Sequence, residues 1–238
     1  EQNRICKALE FIKFTKGKFN KYKFVFLLND CSDNTEQIIK AKIAKFNNII
    51  IIKSNSKNRG SGINLAIKNI KCKFFAVCAI DNAWSFNFYV RALKILKTSS
   101  TKVVFGSKSH PRSNVKRSFI RVFISFCSLI FIKIVFNNRI DYDCQCIKMF
   151  SSDLNFIKKL NNYNYFSETE FALNVEKFKI KKKILPIKVT QTSGTKINIK
   201  NLIGYCIDAL HYRFFNFYTN KKFINKKNKT IHKNSFIN

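Results

Sequence analysis

The stretch Phe24-Val25-Phe26-Leu27-Leu28-Asn29-Asp30-Cys31-Ser32-Asp33-Asn34-Thr35 decides the fold. Phe24 to Leu28 is an unbroken apolar run, which suits a strand buried on both faces. Asn29 to Thr35 is polar apart from Cys31, and from Thr35 to Phe46 the apolar positions Ile38, Ile39, Ile43 and Phe46 fall on one side of a helix. A strand, a tight polar turn and an amphipathic helix, in that order, make one βα unit of a mostly parallel sheet. The turn therefore falls at the carboxyl end of a parallel strand, on the rim where open α/β sheets bind nucleotides. Capping of the helix by Ser32 or Asp33 accounts for the same residues without a ligand.

Outward from this unit the pattern repeats. Ile49 to Ile52, Phe74 to Ile80 and Val103 to Phe105 read as further buried strands, and Asn87 to Leu96 reads as a crossover helix with Val90, Leu93 and Leu96 inward. A second turn, Asn58-Arg59-Gly60-Ser61-Gly62, follows a strand and opens a helix, so its backbone N–H groups can face a diphosphate. An ordinary βα connection explains it equally well. The length of 238 residues suits one α/β domain with additions, assigned to residues 1–218. The remaining 219–238 carry Lys221, Lys222, Lys226, Lys227 and Lys229 with little apolar content, which predicts a disordered basic tail drawn to anionic membrane.

The net charge of +32, from 45 Lys and Arg against 13 Asp and Glu, favours polyanions. A skew toward Lys, Asn, Ile and Phe with only 6 Gly and 2 Pro explains the same charge by composition alone. The aromatic residues lie mostly inside apolar runs rather than beside clustered Arg and Lys, which argues against nucleic acid as a partner. The 8 Cys form no CxxC pair, so reduced thiols are expected. No uncharged apolar run is long enough for a spanning helix. Ser113 to Phe136, however, carries apolar residues around most of a helical circumference, with Arg112, Lys116, Arg117, Arg121 and Lys133 flanking or interrupting it. That pattern predicts a helix lying at a bilayer interface, or else one buried in a core.

At this point the sequence resembles the family 2 glycosyltransferases. Residues 29 to 35 are similar to their Asp-Asp-Gly-Ser-x-Asp-x-Thr motif with one residue deleted, and Asn58, Gly60 and Gly62 to their Asn-x-Gly-x-Gly turn. The opening Glu1 to Ile5 resembles the segment after their Pro-x-Tyr-Asn-Glu loop, which implies that the first strand is missing from the chain. Among subfamilies the dolichyl-phosphate β-glucosyltransferases are the most similar, followed by the mannosyl equivalents. The blocks that carry this are Phe105 to His110, Arg117 to Arg121, Asp143 to Phe150, Glu168-Thr169-Glu170, Leu185-Pro186-Ile187 and Gly194-Thr195-Lys196.

The resemblance implies a GT-A fold, Rossmann-like in its nucleotide-binding half, with a mostly parallel sheet, flanking helices and an interfacial helix over 113–136. It implies a nucleotide-sugar site at Asp30, Ser32, Asp33, Asn58, Gly60 and Asp81, and an acceptor-phosphate site at Arg117, Arg121, Gln145 and Lys196. Mg2+ or Mn2+ would sit at Asp81, with catalysis resting on Asp81, Arg117 and Arg121. The family's Asp-x-Asp pair is incomplete in Ala79-Ile80-Asp81-Asn82-Ala83: Ala79 stands in place of the first Asp or, in the other register, Ala83 in place of the second. Arg117 and Arg121, four apart, share one helical face and can clamp a phosphate. Glu168 and Glu170 read as residues that cap or solvate a helix, and His110 as a loop residue.

The expected partners are a nucleotide sugar, a polyprenyl or dolichyl phosphate and a membrane surface. The expected activity is transfer of a hexose, glucose from UDP-glucose, to the lipid phosphate at the cytosolic face of a membrane, the endoplasmic reticulum in a eukaryote. The competing expectation is a degenerate homologue that binds nucleotide sugar or lipid phosphate without turnover.

Overall fold

The computed structural model describes residues 5–15, 19, 21–29, 31, 34–43, 48–54, 59–77, 86–115, 118–137, 139–143, 147–161, 166–189 and 199–216. It opens on helix α1 (Ile5–Thr15), whose Ile12 and Thr15 are buried. Strand β1 (Phe24–Asn29), helix α2 (Thr35–Ile43), strand β2 (Ile49–Ser54) and helix α3 (Arg59–Asn69) follow in the order that the two apolar–polar–amphipathic units dictate. β1 and β2 pair in parallel, Phe24 opposite Ile49 and Asn29 opposite Ser54. Both strands therefore end at the same edge, and α3 packs on both of them.

Strand β3 (Phe74–Val77) leads toward helix α4 (Asn87–Thr98), which returns to strand β4 (Val103–Ser107). Strand β6 (Lys148–Ser151) lies between β3 and β4 and runs antiparallel to both, while β4 pairs in parallel with strand β7 (Lys182–Pro186). Short strands β5 (Asn114–Val115) and β8 (Lys188–Val189) form another parallel pair. Parallel pairing thus joins β1–β2, β4–β7 and β5–β8, with β6 as the antiparallel insertion.

Every residue of β4 and β6 is buried, so these strands form the centre of the protein. Gly106 fits there because its neighbours come so close. A Cβ at this position would lie 2.4 Å from Ile147 Cγ2 and 2.6 Å from Ile187 Cγ2. α4 covers one face through Phe88, Tyr89, Ala92 and Leu96. Val90, expected inward from its spacing with Leu93, faces solvent instead; the bulkier Phe88 and Tyr89 rotate the helix to bring themselves inside. Phe11 of α1 makes edge-on ring contacts with Phe24, Phe86 and Tyr89, which ties α1 to β1 and α4.

The other face is covered by helix α6 (Ser167–Lys177), by Ile132 and Phe136 at the end of helix α5 (Phe119–Val135), and by the inner side of helix α7 (Ile199–His211). α7 continues as a π-helical turn over Tyr212–Asn216. The basic tail 219–238 lies outside the described residues. Among the described residues, no helix is long and apolar enough to cross a membrane.

Candidate functional site

The two polar turns singled out in the sequence converge. β1 ends at Asn29, in register with the end of β2 at Ser54, and the side chain of Asn29 points at the first turn of α3. A Cβ on Gly62 would lie 2.2 Å from Asn29 Oδ1, so glycine is what allows the helix start to close on the strand end. Asn29 Oδ1 is buried with no hydrogen-bond partner among the described residues, and Gly60 is buried in the same helical turn. A strand edge thus meets a helix start whose backbone N–H groups suit an anion. Of the other residues expected to bind nucleotide sugar, Asp30, Ser32, Asp33, Asn58 and Asp81 lie outside the described residues.

Beside this edge is a cavity of about 30 Å3, enough for about one water, bordered by Gly60, Asn64, Val77, Lys148, Ser167 and Glu168. Val77, which borders this cavity, is the last residue of β3, and Asp81 follows four positions later in the sequence. Lys148 Nζ donates to Glu168 Oε2 at 2.9 Å, with side chains only 3% and 7% exposed. Lys148, the first residue of the buried strand β6, is therefore held by a carboxylate from α6.

Two residues along α6, Glu170 is 1% exposed and accepts hydrogen bonds from Asn161, from the backbone N at 3.0 and 3.2 Å and from Nδ2 at 2.5 Å. Burial pushes its carboxyl up to about 7, against the opposing pull of the Asn161 hydrogen bonds. Asn64 Nδ2 of α3 donates to the Leu160 carbonyl at 3.0 Å and to that of Asn161 at 3.4 Å. A continuous polar path therefore runs from α3 through residues 160–161 to α6.

Glu168 and Glu170 correct the sequence expectation. Neither solvates a helix; both are buried and tie α6 to its neighbours. The sequence did hold a signal, because Lys148 interrupts the apolar run Ile147-Lys148-Met149-Phe150, and a lysine in a buried strand demands a nearby carboxylate. His110 lies in a turn, where its Nδ1 accepts from the Arg112 backbone N at 3.1 Å. Close by in sequence, Lys108 pairs with Asp143 at 2.9 Å, joining two of the sequence blocks.

Of the expected acceptor-phosphate residues, Arg121 stands in the first turn of α5, while Arg117, Gln145 and Lys196 lie outside the described residues. α5 itself is mostly uncovered. Ile132 is its only fully buried residue, and Phe119 and Ile134 are 83% and 72% exposed. A core helix of a soluble domain would have the reverse pattern. Among the described residues no group of three or more His, Cys, Asp and Glu is placed to hold a metal ion.

A parallel strand pair ending beside a glycine-led helix, together with a four-stranded sheet into which one antiparallel strand is inserted, gives an α/β protein of the GT-A glycosyltransferase fold. The chain belongs to glycosyl transferase family 2, whose model matches residues 3–156. Among solved structures it is similar to glucosyl-3-phosphoglycerate synthase from Mycobacterium tuberculosis in complex with Mn2+, UDP and phosphoglyceric acid. That likeness has 10% identity and a TM-score of 0.64, over 90% of this chain and 74% of that one. It is also similar to the mannosyltransferase PcManGT from Pyrobaculum calidifontis in complex with GDP-Man and Mn2+, at 13% identity and a TM-score of 0.54, over 82% of this chain and 55% of that one. A third similar structure is S. aureus TarS in complex with UDP-GlcNAc, at 12% identity and a TM-score of 0.54, over 87% and 62%. At these identities the likeness is one of fold. No curated protein matches the chain.

Proposed function

We propose that the chain transfers a hexose, glucose from UDP-glucose, to a polyprenyl or dolichyl phosphate at the cytosolic face of a membrane. The observation that carries the acceptor is α5, a helix without a single acidic residue whose Phe119, Phe123, Phe126 and Ile130 are exposed and whose first turn holds Arg121. An acceptor with a long apolar tail and an anionic head matches that combination. The donor side is supported by family membership and by the Asn29–Gly62 contact, which puts a strand end and a helix start where a nucleoside diphosphate can meet backbone N–H groups. In this reading Asp30, Ser32, Asp33, Asn58 and Gly60 hold the nucleotide, and Arg117, Arg121, Gln145 and Lys196 hold the acceptor phosphate.

The chemistry asks little of a general base, because the acceptor oxygen is already anionic near neutral pH. That oxygen attacks the anomeric carbon as the bond from this carbon to the diphosphate breaks, inverting its configuration, and the nucleoside diphosphate leaves with the electron pair. Arg117 and Arg121 orient the attacking phosphate. Mg2+ or Mn2+ at Asp81 would supply neutralisation of charge on the departing diphosphate.

The test is incubation of the full chain with labelled UDP-glucose, Mn2+ and dolichyl phosphate in vesicles, followed by solvent extraction. Labelled glucose in the lipid phase is the expected result. Binding of UDP-glucose without lipid-linked product overturns the transferase and favours the degenerate homologue that Ala79 and Ala83 suggest.

A further inference from the structure

We infer that α7 and its π-helical continuation form, together with α5, a two-helix face that docks on an anionic lipid surface. The inference rests on the membrane reading above only for α5; α7 is argued from its own geometry. Along α7 the inward positions Tyr205, Ala209 and Tyr212 are buried. The outward positions Ile199, Ile203, Ile207, Leu210 and Phe214 recur every three or four residues and are all exposed, Phe214 to 67%. This is the reverse of a helix that spends its apolar residues on its own core.

The two helices meet through their buried sides. α5 touches α7, and Ile132 and Phe136 rest in the same buried cluster as Tyr205, Ala209 and Tyr212, with the Phe136 and Tyr212 rings 6.1 Å apart. The exposed apolar residues of both helices therefore flank one shared buried cluster. So many exposed large apolar residues on two touching helices mark an interaction site.

Charge selects the occupant. On α5, α7 and the π turn the only acidic residue is Asp208, against Arg121, Lys133, Lys200 and Arg213. A second copy of a chain with 45 basic and 13 acidic residues would bring cations onto cations. An anionic bilayer offers an apolar interior to the stripes and phosphates to their basic flanks. At 17 residues α5 reaches about 25 Å, short of the roughly 30 Å hydrocarbon core, so the helices lie in the interface plane.

The test is flotation of the full chain with phosphatidylcholine vesicles, with and without phosphatidylglycerol, alongside UDP binding in the presence of Mn2+. Wild type should float with the anionic vesicles. The double variant Ile203→Gln/Ile207→Gln should partition at least ten-fold less, and Lys200→Glu should weaken anionic binding several-fold, both with unchanged UDP binding. Equal flotation of wild type and the double variant overturns the inference. So does a wild-type dimer in sedimentation that the double variant dissociates, since the face is then taken by a second copy. Intact flotation without UDP binding supports the docking face while overturning the nucleotide-sugar reading.

Discussion

Helices α6 and α5 invert one another. α6 carries Glu168, Thr169 and Glu170 and buries all three, whereas α5 carries Phe, Ile, Val and Leu along most of its length and buries only Ile132 fully. Judged by composition, α5 belongs inside and α6 outside. The difference teaches that a polar residue enters a core when a partner already waits there, as Lys148 does for Glu168 and Asn161 for Glu170. An apolar residue stays outside when its helix turns only a narrow edge to the core, as α5 does at Ile132.

The largest effect that would break this comparison is at the buried pair. Lys148→Ala or Glu168→Ala leaves one buried charge uncompensated and should cost about 3–5 kcal/mol in urea unfolding. Lys148→Met combined with Glu168→Leu should recover most of that loss. A single variant that unfolds like wild type would show that the pair does not hold α6 to β6.

Next comes Glu170. Its folded-state value of about 7 lies above the 4.5 of an ordinary glutamate, so the folded protein holds this proton more tightly than the unfolded chain. Stability from this group is therefore full below about pH 4.5 and is lost as pH rises to about 7, by about 3 kcal/mol. Glu170→Gln should flatten that part of the pH profile, read as the difference from wild type in chemical unfolding between pH 4.5 and 8.

Two glycines sharpen the contrast at smaller scale. Gly106→Ala, with Ile147 and Ile187 pressed against it, should cost about 1–3 kcal/mol. Gly204→Ala in α7 meets nothing within 4 Å and should stabilise by about 0.5–1 kcal/mol, as expected for glycine in a helix interior. Thermal unfolding of both reads the sign directly. The smallest expected effect is Phe123→Gln on α5, within about 0.5 kcal/mol in the same measurement, because the ring is already exposed.

Much of the fold was legible in the sequence because its strands are uninterrupted apolar runs and its turns are polar. The β1–α2–β2–α3 units appear within a residue or two of their expected starts, and their two turns meet, as Asn29 and Gly62 do. Strand β6 was not legible, since Lys148 breaks its apolar pattern and only its carboxylate on α6 makes sense of it. α1 and α7 were missed for a related reason: hydropathy does not distinguish a helix that packs through one narrow edge from an irregular apolar segment. At the candidate site, Gly60 stands at the start of α3 as its turn implied. The helix expected over 113–136, by contrast, begins only at Phe119, because Asn114 and Val115 pair as strand β5 and Ser118 is extended, so Arg121 falls in the first turn of α5 rather than deep within it.

What the sequence alone determined is the class of architecture and the family, because local periodicity and the spacing of small turn residues are properties of neighbouring positions. What only the tertiary structure decided is which side of each helix meets the core. Burial depends on partners distant in the chain, and it is those partners that put two glutamates inside α6 and left the phenylalanines of α5 outside.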